Sequence, residues 1–186
     1  MNLRSLLELD ARFSAQMRVA EKPGMLRNIA AFLAHSGDSW FWALALILFW
    51  FFSNPVWKQW EVVEFFGILG LAGVVLAIKF LVRRERPQGE WGGIYRNTDP
   101  HSFPSGHAAR AFLIAVVGAA LAPLWLIILL WVWAPLVSLA RVAMGVHYLS
   151  DVIAGAILGI IVGVIGLQIY PPMIAWLTAW IGFPLW

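Results

Sequence analysis

The sequence concentrates its chemically reactive side chains in three short blocks. The first is K-F-L-V-R-R-E-R-P at 79–87, the second is P-S-G-H at 104–107, and the third is R-V-A-M-G-V-H-Y-L-S-D at 141–151. Together they hold several cations, two imidazoles and two carboxylates. Cations of this kind bind phosphate oxygens, and an imidazole can act as a nucleophile or as a general acid or base. The combination therefore indicates chemistry on a phosphate group.

Lys79, Arg86 and Arg141 are cations at or near predicted helix ends. Snorkelling to the membrane interface explains most Lys and Arg at such positions. Three fixed cations on one face, without a matching set of acids, favour a bound anion instead. Phosphate suits them, because Arg offers a planar fork to two oxygens and Lys a point charge. We interpret Arg83 and Arg84 as ordinary interfacial charges.

The second block is predicted to open a helix. Ser105 can cap that helix, and Gly106 lets backbone N–H groups approach a ligand closely. An ordinary capped helix start would explain these two residues but would leave His107 without a use. The block therefore predicts an anion site with an imidazole beside it.

His147 and Asp151 are four residues apart, which is one helical turn. A carboxylate at that spacing can hold the proton of one ring nitrogen and leave the other nitrogen with its lone pair. The alternative is a capping Asp beside an interfacial His. His35 and His101 have no such partner in the sequence, and we interpret them as structural or interfacial. Two histidines among cations make a poor metal site, so we predict no metal and no cofactor.

The composition is that of an integral membrane protein. Of the 186 residues, 61% are hydrophobic and 12% are charged, whereas soluble domains carry about 25% charged residues. Cysteine is absent, which excludes disulfides and thiolate chemistry. Nothing resembles a nucleic-acid-binding module, so the expected partners are membrane lipids, and the oligomeric state is left open.

The predicted fold is an all-α, polytopic membrane helix bundle forming one domain, 1–186. Residues 1–37 are predicted to be an interfacial segment with an amphipathic helix at 3–20. Asp38 or Ser39 would cap the first span, and Tyr170-Pro171-Pro172 would end the helical core, 38–170. Residues 171–186 would form a short last helix, giving five transmembrane helices, or six if that helix crosses. The five predicted spans are 39–57, 62–82, 105–121, 124–143 and 151–169.

This order of spans brings the three blocks together. The first block ends span two, the second opens span three, and the third joins span four to span five. Because consecutive spans cross in alternating directions, all three blocks are predicted to lie at the same face of the membrane.

The pattern K-x6-R-P, P-S-G-H and R-x5-H-x3-D resembles the type-2 phosphatidic acid phosphatase superfamily over roughly residues 38–170. That family includes membrane lipid phosphatases and undecaprenyl pyrophosphate phosphatases. One departure is Ala140, where the family usually has a Ser before the Arg of the third block. The change removes a possible hydroxyl contact to phosphate and leaves every ionisable member in place.

The resemblance implies a role for each residue of the three blocks. His147 would be the nucleophile that forms a phosphohistidine, oriented by Asp151, and His107 would be the general acid. Because the two histidines need opposite protonation states, a bell-shaped pH profile is expected. The phosphate would be bound by Lys79, Arg86, Ser105, Gly106 and Arg141.

A site at the membrane interface favours lipid phosphates as substrates. The sequence does not separate undecaprenyl pyrophosphate from phosphatidic acid or phosphatidylglycerophosphate, although Arg83, Arg84 and Arg96 weakly favour a diphosphate. Two other functions are open: a phosphotransferase of the same superfamily that passes the phosphate to a lipid headgroup, and a non-catalytic binder of lipid phosphates.

The charge pattern and the resemblance disagree about sidedness. Of the 13 Lys and Arg, only Lys58 is predicted on the face opposite the blocks, and the positive-inside rule would then place the blocks in the cytoplasm. The cations of the blocks are expected there for chemistry, however. Similar bacterial enzymes act at the outer face of the cytoplasmic membrane, so we favour the outer face.

Overall fold

The computed structural model describes residues 2–89, 91 and 99–185. Within these residues the chain is helical, and its one β-bridge, between Glu85 and His101, is isolated. The predicted all-α class is therefore confirmed for the described residues. The helices are α1 (Leu3–Gln16), α2 (Met25–Ser36), α3 (Ser39–Trp50), α4 (Pro55–Val82), α5 (Gly106–Leu121), α6 (Leu124–Ala143) and α7 (Leu149–Ile181).

Three helices, α4, α6 and α7, are long and apolar enough to cross a membrane. They contain the predicted spans 62–82, 124–143 and 151–169. Helices α2 and α3 meet the same criterion only as a pair, and the pair is bent by 59°. Helix α5 is apolar but has only 16 residues. It lies in the centre of the bundle, with Leu113, Ile114 and Val117 fully buried.

The predicted first span, 39–57, is too long. Helix α3 ends at Trp50, and the next helix begins at Pro55. The Asn54 side chain caps α4 by accepting hydrogen bonds from the backbone N–H groups of Val56 and Trp57. Asn at the cap and Pro at the first helical position are both favourable there. The Asn-Pro pair thus starts α4 seven residues earlier than predicted.

The predicted break at Tyr170-Pro171-Pro172 is wrong. Helix α7 continues through both prolines to Ile181 and ends at Gly182, whose φ is 73°. Ile174, one turn beyond the prolines, is fully buried in the core. Packing on this side holds the helix together despite the lost backbone hydrogen bonds. Residues 171–181 therefore belong to α7 and do not form a separate helix.

The N-terminal helix is shorter than predicted and lies against the start of α7. It ends at Gln16 rather than near residue 20. The Ser14 hydroxyl accepts a hydrogen bond from the Leu149 N–H at 2.8 Å, and the Asp10 carboxylate accepts one from the Ser150 N–H at 3.0 Å. Helix α1 thereby caps the helix that carries the third block. Its interfacial position stays a prediction.

Glycines on α7 allow very close packing against α5. A Cβ atom at Gly155 would lie 2.5 Å from the Ser105 carbonyl oxygen, and one at Gly159 would overlap the Ala109 carbonyl oxygen. Backbone therefore packs on backbone along this contact. The packing brings the N-termini of α5 and α7 together, and these carry the second and third blocks.

Replacing Gly159 with valine should destabilise the bundle. Overpacking typically costs about 1–3 kcal/mol, which for a chain of this size lowers Tm by roughly 2–12 °C. A thermal melt in detergent would measure the shift. The matched control is Gly73→Ala on α4, where an added Cβ meets nothing within 4 Å. An unchanged Tm for Gly159→Val would contradict the packing described here.

Candidate active site

A cavity of about 270 Å³ lies at the end of the bundle where the three blocks meet. Each block contributes to its wall, as the alternating spans predicted. The polar part of the lining is Ser39, Lys79, Asp99, Gly106, His107, Arg110 and His147. The apolar part is Ile68, Leu71, Ala72, Val75 and Leu76, all from α4.

His147 lies between α6 and α7 and is almost fully buried. Its Nε2 atom is 3.2 Å from Nη1 of Arg86. A guanidinium can only donate, so Nε2 must accept with its lone pair. The ring proton of neutral His147 is then on Nδ1, which faces Asp151 Oδ2 at 3.5 Å. The geometry assigns the tautomer that a nucleophilic imidazole needs.

The surroundings of His147 also keep it neutral. Burial lowers the pKa of His147 well below its usual value, and the charges of Arg86, Arg141 and Lys79 lower that pKa further. Both effects disfavour the imidazolium form. The lone pair is therefore available at neutral pH.

The activity should consequently persist at acidic pH. Because the pKa of His147 is lowered, protonation of His147 should reduce kcat/KM only below the ordinary histidine value of 6.5. A profile of kcat/KM from about pH 4 to 10 measures the acidic limb of the predicted bell. An acidic limb with a midpoint above 6.5 would contradict a buried, neutral nucleophile.

Asp151 is fully buried, and both of its carboxylate oxygens accept hydrogen bonds. Its Oδ1 accepts a hydrogen bond from Nη1 of Arg84 at 2.7 Å, and its Oδ2 accepts one from the Tyr148 N–H at 2.9 Å. The other Arg84 nitrogen, Nη2, pairs with Asp10 of α1 at 2.7 Å. The interpretation of Arg84 as an interfacial charge is therefore wrong, because Arg84 joins Asp151, the neighbour of His147, to Asp10.

His107 has a partner that the sequence interpretation missed. Its Nε2 atom is 2.6 Å from Oδ1 of Asp38, and the other oxygen of Asp38 is 3.3 Å from Nδ1 of His35. Asp38 precedes α3 but makes no side-chain capping bond there. Its predicted capping role is therefore replaced by contacts with two histidines, and His35 does have a partner. The nearby Arg110 donates to the Gly37 carbonyl, which fixes the turn that carries Asp38.

The expectation of cations without matching acids is also wrong. Asp99 Oδ2 pairs with both Lys79 Nζ and Arg86 Nη2, the latter at 2.8 Å. Arg86 Nε also donates to the Asp99 carbonyl at 2.6 Å. Arg141 is buried and donates to the Ala34 carbonyl at 3.5 Å. A carboxylate thus occupies the cation pair that was predicted to bind phosphate.

Removing the Asp99 charge should strengthen phosphate binding. A carboxylate oxygen and a phosphate oxygen would compete for the same two cations, so Asp99→Asn should lower the inhibition constant of inorganic phosphate by about threefold to tenfold. The inhibition constant is measured by adding inorganic phosphate to the lipid phosphatase assay. The control is Glu85→Gln, which removes a nearby acid that makes no ion pair with these cations. A raised inhibition constant would instead mean that Asp99 organises the cations.

Ser105 and Gly106 have different positions. The Ser105 hydroxyl is fully buried and accepts a hydrogen bond from the Ala108 N–H at 3.4 Å, as the predicted cap does. The Ser105 N–H donates to the Asp151 carbonyl at 3.0 Å, which ties α5 to α7. Only Gly106 of the two lines the cavity. A direct phosphate contact from Ser105 stays a prediction.

Arg83 and His101 lie away from the cavity wall. Arg83 Nε donates to the Phe80 carbonyl at 2.9 Å on the exposed surface, consistent with an interfacial charge. His101 contacts the Phe80 ring and bridges to Glu85. Arg96 lies outside the described residues. Among the described residues no group of three or more His, Asp or Glu side chains is placed to hold a metal ion.

Three acids near the blocks, Asp10, Asp38 and Asp99, were not predicted to belong to the site. One signal in the sequence could have found them. Buried cations need partners in a low-dielectric interior, and the chain has only 10 Asp and Glu in total. Asp38 and Asp99 also lie next to the ends of predicted spans at the face that carries the three blocks.

A membrane helix bundle with a neutral buried imidazole facing cations suits an enzyme that transfers a phosphoryl group. Comparison with known proteins agrees. The chain matches the PAP2 superfamily over residues 61–175. It is 32% identical over 159 residues to a decaprenylphosphoryl-5-phosphoribose phosphatase of Mycobacterium tuberculosis, covering 85% of this chain and 88% of that one. The chain belongs to the PAP2 superfamily and is a phosphatase.

Two solved structures share the fold. A transmembrane PAP2-type phosphatidylglycerolphosphate phosphatase from Bacillus subtilis superposes with a TM-score of 0.72 at 22% identity, covering 90% of this chain and 87% of that chain. LpxE from Aquifex aeolicus superposes with a TM-score of 0.67 at 27% identity, covering 87% and 94%. The three apolar helices and these neighbours identify a membrane protein.

Proposed function

We propose that this protein is a metal-independent membrane lipid phosphatase that hydrolyses the phosphomonoester or pyrophosphate headgroup of a lipid through a phosphohistidine. One observation carries the proposal: the lone pair of His147 Nε2 points at Arg86 beside a cavity that also exposes Lys79 and His107. A phosphate bound by these cations would place its phosphorus next to a neutral nucleophile.

The first half of the reaction forms the covalent intermediate. Substrate displaces the Asp99 carboxylate from Lys79 and Arg86, whose charges then stabilise the phosphate oxygens. His147 Nε2 attacks the phosphorus, and the bond from phosphorus to the leaving oxygen breaks. His107 gives its proton to that oxygen. Asp151 stabilises the proton on Nδ1 while the ring carries the phosphoryl group.

The second half returns the enzyme to its starting state. Water attacks the phosphorus of the phosphohistidine, and His107, now neutral, accepts a proton from that water. The bond between phosphorus and Nε2 breaks, inorganic phosphate leaves, and His147 is again neutral with its proton on Nδ1. The cations remain in place through both steps, so binding and charge stabilisation serve both transition states.

The lipid nature of the substrate is supported by the position of the cavity and by the relatives. Apolar residues of α4 continue directly from Lys79 into the membrane-spanning part of the bundle. The relatives' names include a phosphatase of a decaprenyl-linked phosphate and a phosphatidylglycerolphosphate phosphatase. We propose five spans with α1 at the interface, and a site at the outer face of a bacterial cytoplasmic membrane.

The test is phosphate release by the purified protein in detergent with EDTA. The substrates are phosphatidic acid, phosphatidylglycerophosphate and undecaprenyl pyrophosphate, each also supplied with terminal ³²P. Release in EDTA, together with acid-labile, base-stable label on the protein, is expected. No release from any lipid would overturn the proposal. Transfer of the label to an added lipid alcohol in preference to water would identify a phosphotransferase instead.

A further inference from the structure

A second cavity, of about 480 Å³, lies at the opposite end of the bundle. Helices α3, α4 and α7 and the C-terminal residues form its walls. Nearly all of its lining is apolar or aromatic, and Glu61 is the one acidic residue among the described residues that line it. The lining is Leu46, Ile47, Trp50, Phe51, Glu61, Val62, Phe65, Phe66, Leu177, Ile181 and Leu185.

The two cavities lie along the same face of α4. Residues 61 and 65 line the second cavity, and residues 68, 72, 75 and 79 line the cavity of the phosphate site. Steps of three or four residues keep these side chains on one side of a helix. Helix α3 contributes to both cavities, through Ser39 at one end and through Leu46 and Trp50 at the other. Both cavities therefore lie along the contact between α3 and α4, which we call the seam.

The far wall of the second cavity lies beyond the reach of an ordinary lipid tail. Phe66 is 13 residues and Glu61 is 18 residues from Lys79 along α4, which is about 20 and 27 Å at 1.5 Å per residue. The hydrocarbon layer is about 30 Å thick, so the tails of one leaflet extend about 15 Å. A chain whose phosphate is at Lys79 must pass the midplane to enter this cavity.

We infer that the second cavity binds the distal part of the substrate's own tail, and that the enzyme is selective for a chain longer than one leaflet, the polyprenyl class. The inference rests on the proposed function, because it takes the phosphate at Lys79 as the fixed end of the ligand. Such a chain would follow the seam from the phosphate site to the second cavity. Glu61, hydrogen-bonded to the Ser53 hydroxyl, marks the polar end of the path.

The test compares pyrophosphates of increasing chain length: farnesyl, geranylgeranyl and undecaprenyl. Ile47→Trp would fill the second cavity, and Leu48→Trp is its matched control, since the neighbouring residue is equally exposed but does not line the cavity. Ile47→Trp should lower kcat/KM for undecaprenyl pyrophosphate by about tenfold through lost apolar contact. Farnesyl pyrophosphate should be hydrolysed as by the unchanged protein, and Leu48→Trp should change neither rate.

Two results would overturn the inference. One is an equal loss on all three chain lengths, which would indicate a structural effect or a different lipid in the cavity. The other is an unchanged rate with undecaprenyl pyrophosphate. Neither result can be confused with a loss of catalysis, because the short chain of farnesyl pyrophosphate tests the phosphate site without the second cavity. The proposed function itself is wrong only if the unchanged protein releases phosphate from none of the three pyrophosphates and from neither phosphatidic acid nor phosphatidylglycerophosphate.

A different observation supports a second inference, about α1. Asp10 pairs with Arg84 at 2.7 Å, and Arg84 pairs with Asp151 at 2.7 Å, with all three side chains largely or fully buried. Asp10 also accepts from the Ser150 N–H at 3.0 Å. We infer that Asp10 is a positioning residue: it fixes Arg84, which fixes the carboxylate that orients His147.

Asp10→Asn should lower kcat by about tenfold and leave KM within twofold. Asp10→Glu should restore part of the rate, because it keeps the charge that holds Arg84. Glu8→Gln, which changes an exposed acid on the same helix, is the control. An equal loss in Asp10→Asn and Asp10→Glu, or a rise in KM alone, would contradict a positioning role.

Discussion

Replacing His147 with alanine is expected to reduce phosphate release by about 10⁴-fold or more, because the variant lacks the group that forms the covalent intermediate. The nearby nitrogen-bearing side chains already have partners, because Lys79 and Arg86 pair with Asp99 and His107 pairs with Asp38. Binding of the substrate should persist, because those cations remain. We therefore expect the loss in kcat, with KM or the dissociation constant changed by only a few-fold.

The measurement is phosphate release in detergent, together with ³²P labelling of the protein. His101→Ala is the matched control, because His101 is also a loop histidine but does not line the cavity. It should retain activity and label. A His147→Ala protein that still acquires acid-labile label would place the phosphoryl group on another residue. Equal activity of the two variants would show that His147 is not the nucleophile.

The convergence of the blocks could be predicted from the sequence because it depends only on the order of spans. Two helix ends lie at the same face of the membrane when an even number of spans separates them, and at opposite faces when the number is odd. Errors of several residues in the limits of a span do not change that number. This is why the shortened α3 and the early start of α4 at Pro55 leave the cavity where it was expected. His107 and His147 line it together.

The partners of the reactive residues could not be predicted in the same way. Asp38 and His107 are 69 residues apart, and Asp10 and Arg84 are 74 residues apart. Such pairings depend on how helices rotate and tilt against each other, which periodicity does not determine in helices that are apolar on every side. The glycine contacts between α5 and α7 set that packing here. The sequence shows the glycines but not what they touch.

The proline pair in α7 shows a related limit. In water, Pro171-Pro172 would end a helix, because the second proline restricts the first and both remove N–H donors. Ile174 beyond them is buried in the core, so tertiary packing outweighs the local preference. The consequence is functional, since the continued helix carries Leu177 and Ile181 to the wall of the second cavity.

Replacing His107 with asparagine is expected to slow phosphate release from lipids by about 10²–10⁴-fold, the usual contribution of a general acid. The size of the loss should depend on the leaving group. A lipid alkoxide leaves poorly without a proton, whereas p-nitrophenolate needs none. With p-nitrophenyl phosphate the first turnover should therefore proceed at nearly the unchanged rate. Turnover should then stall, because His107 is also the base that activates water.

Stopped-flow measurement of His107→Asn with p-nitrophenyl phosphate would show the fast first turnover as a burst of p-nitrophenolate equal to the amount of enzyme. Phosphohistidine should accumulate on His147 at the same time. Asp38→Asn, which removes the carboxylate 2.6 Å from His107 Nε2, should give a weaker form of the same behaviour. Equal losses on both substrates without a burst would instead assign His107 to phosphate binding. The burst separates a chemical defect from a folding defect. A damaged fold would lower the amplitude of the burst. Loss of the acid and base alone leaves the amplitude intact and lowers only the rate of later turnovers.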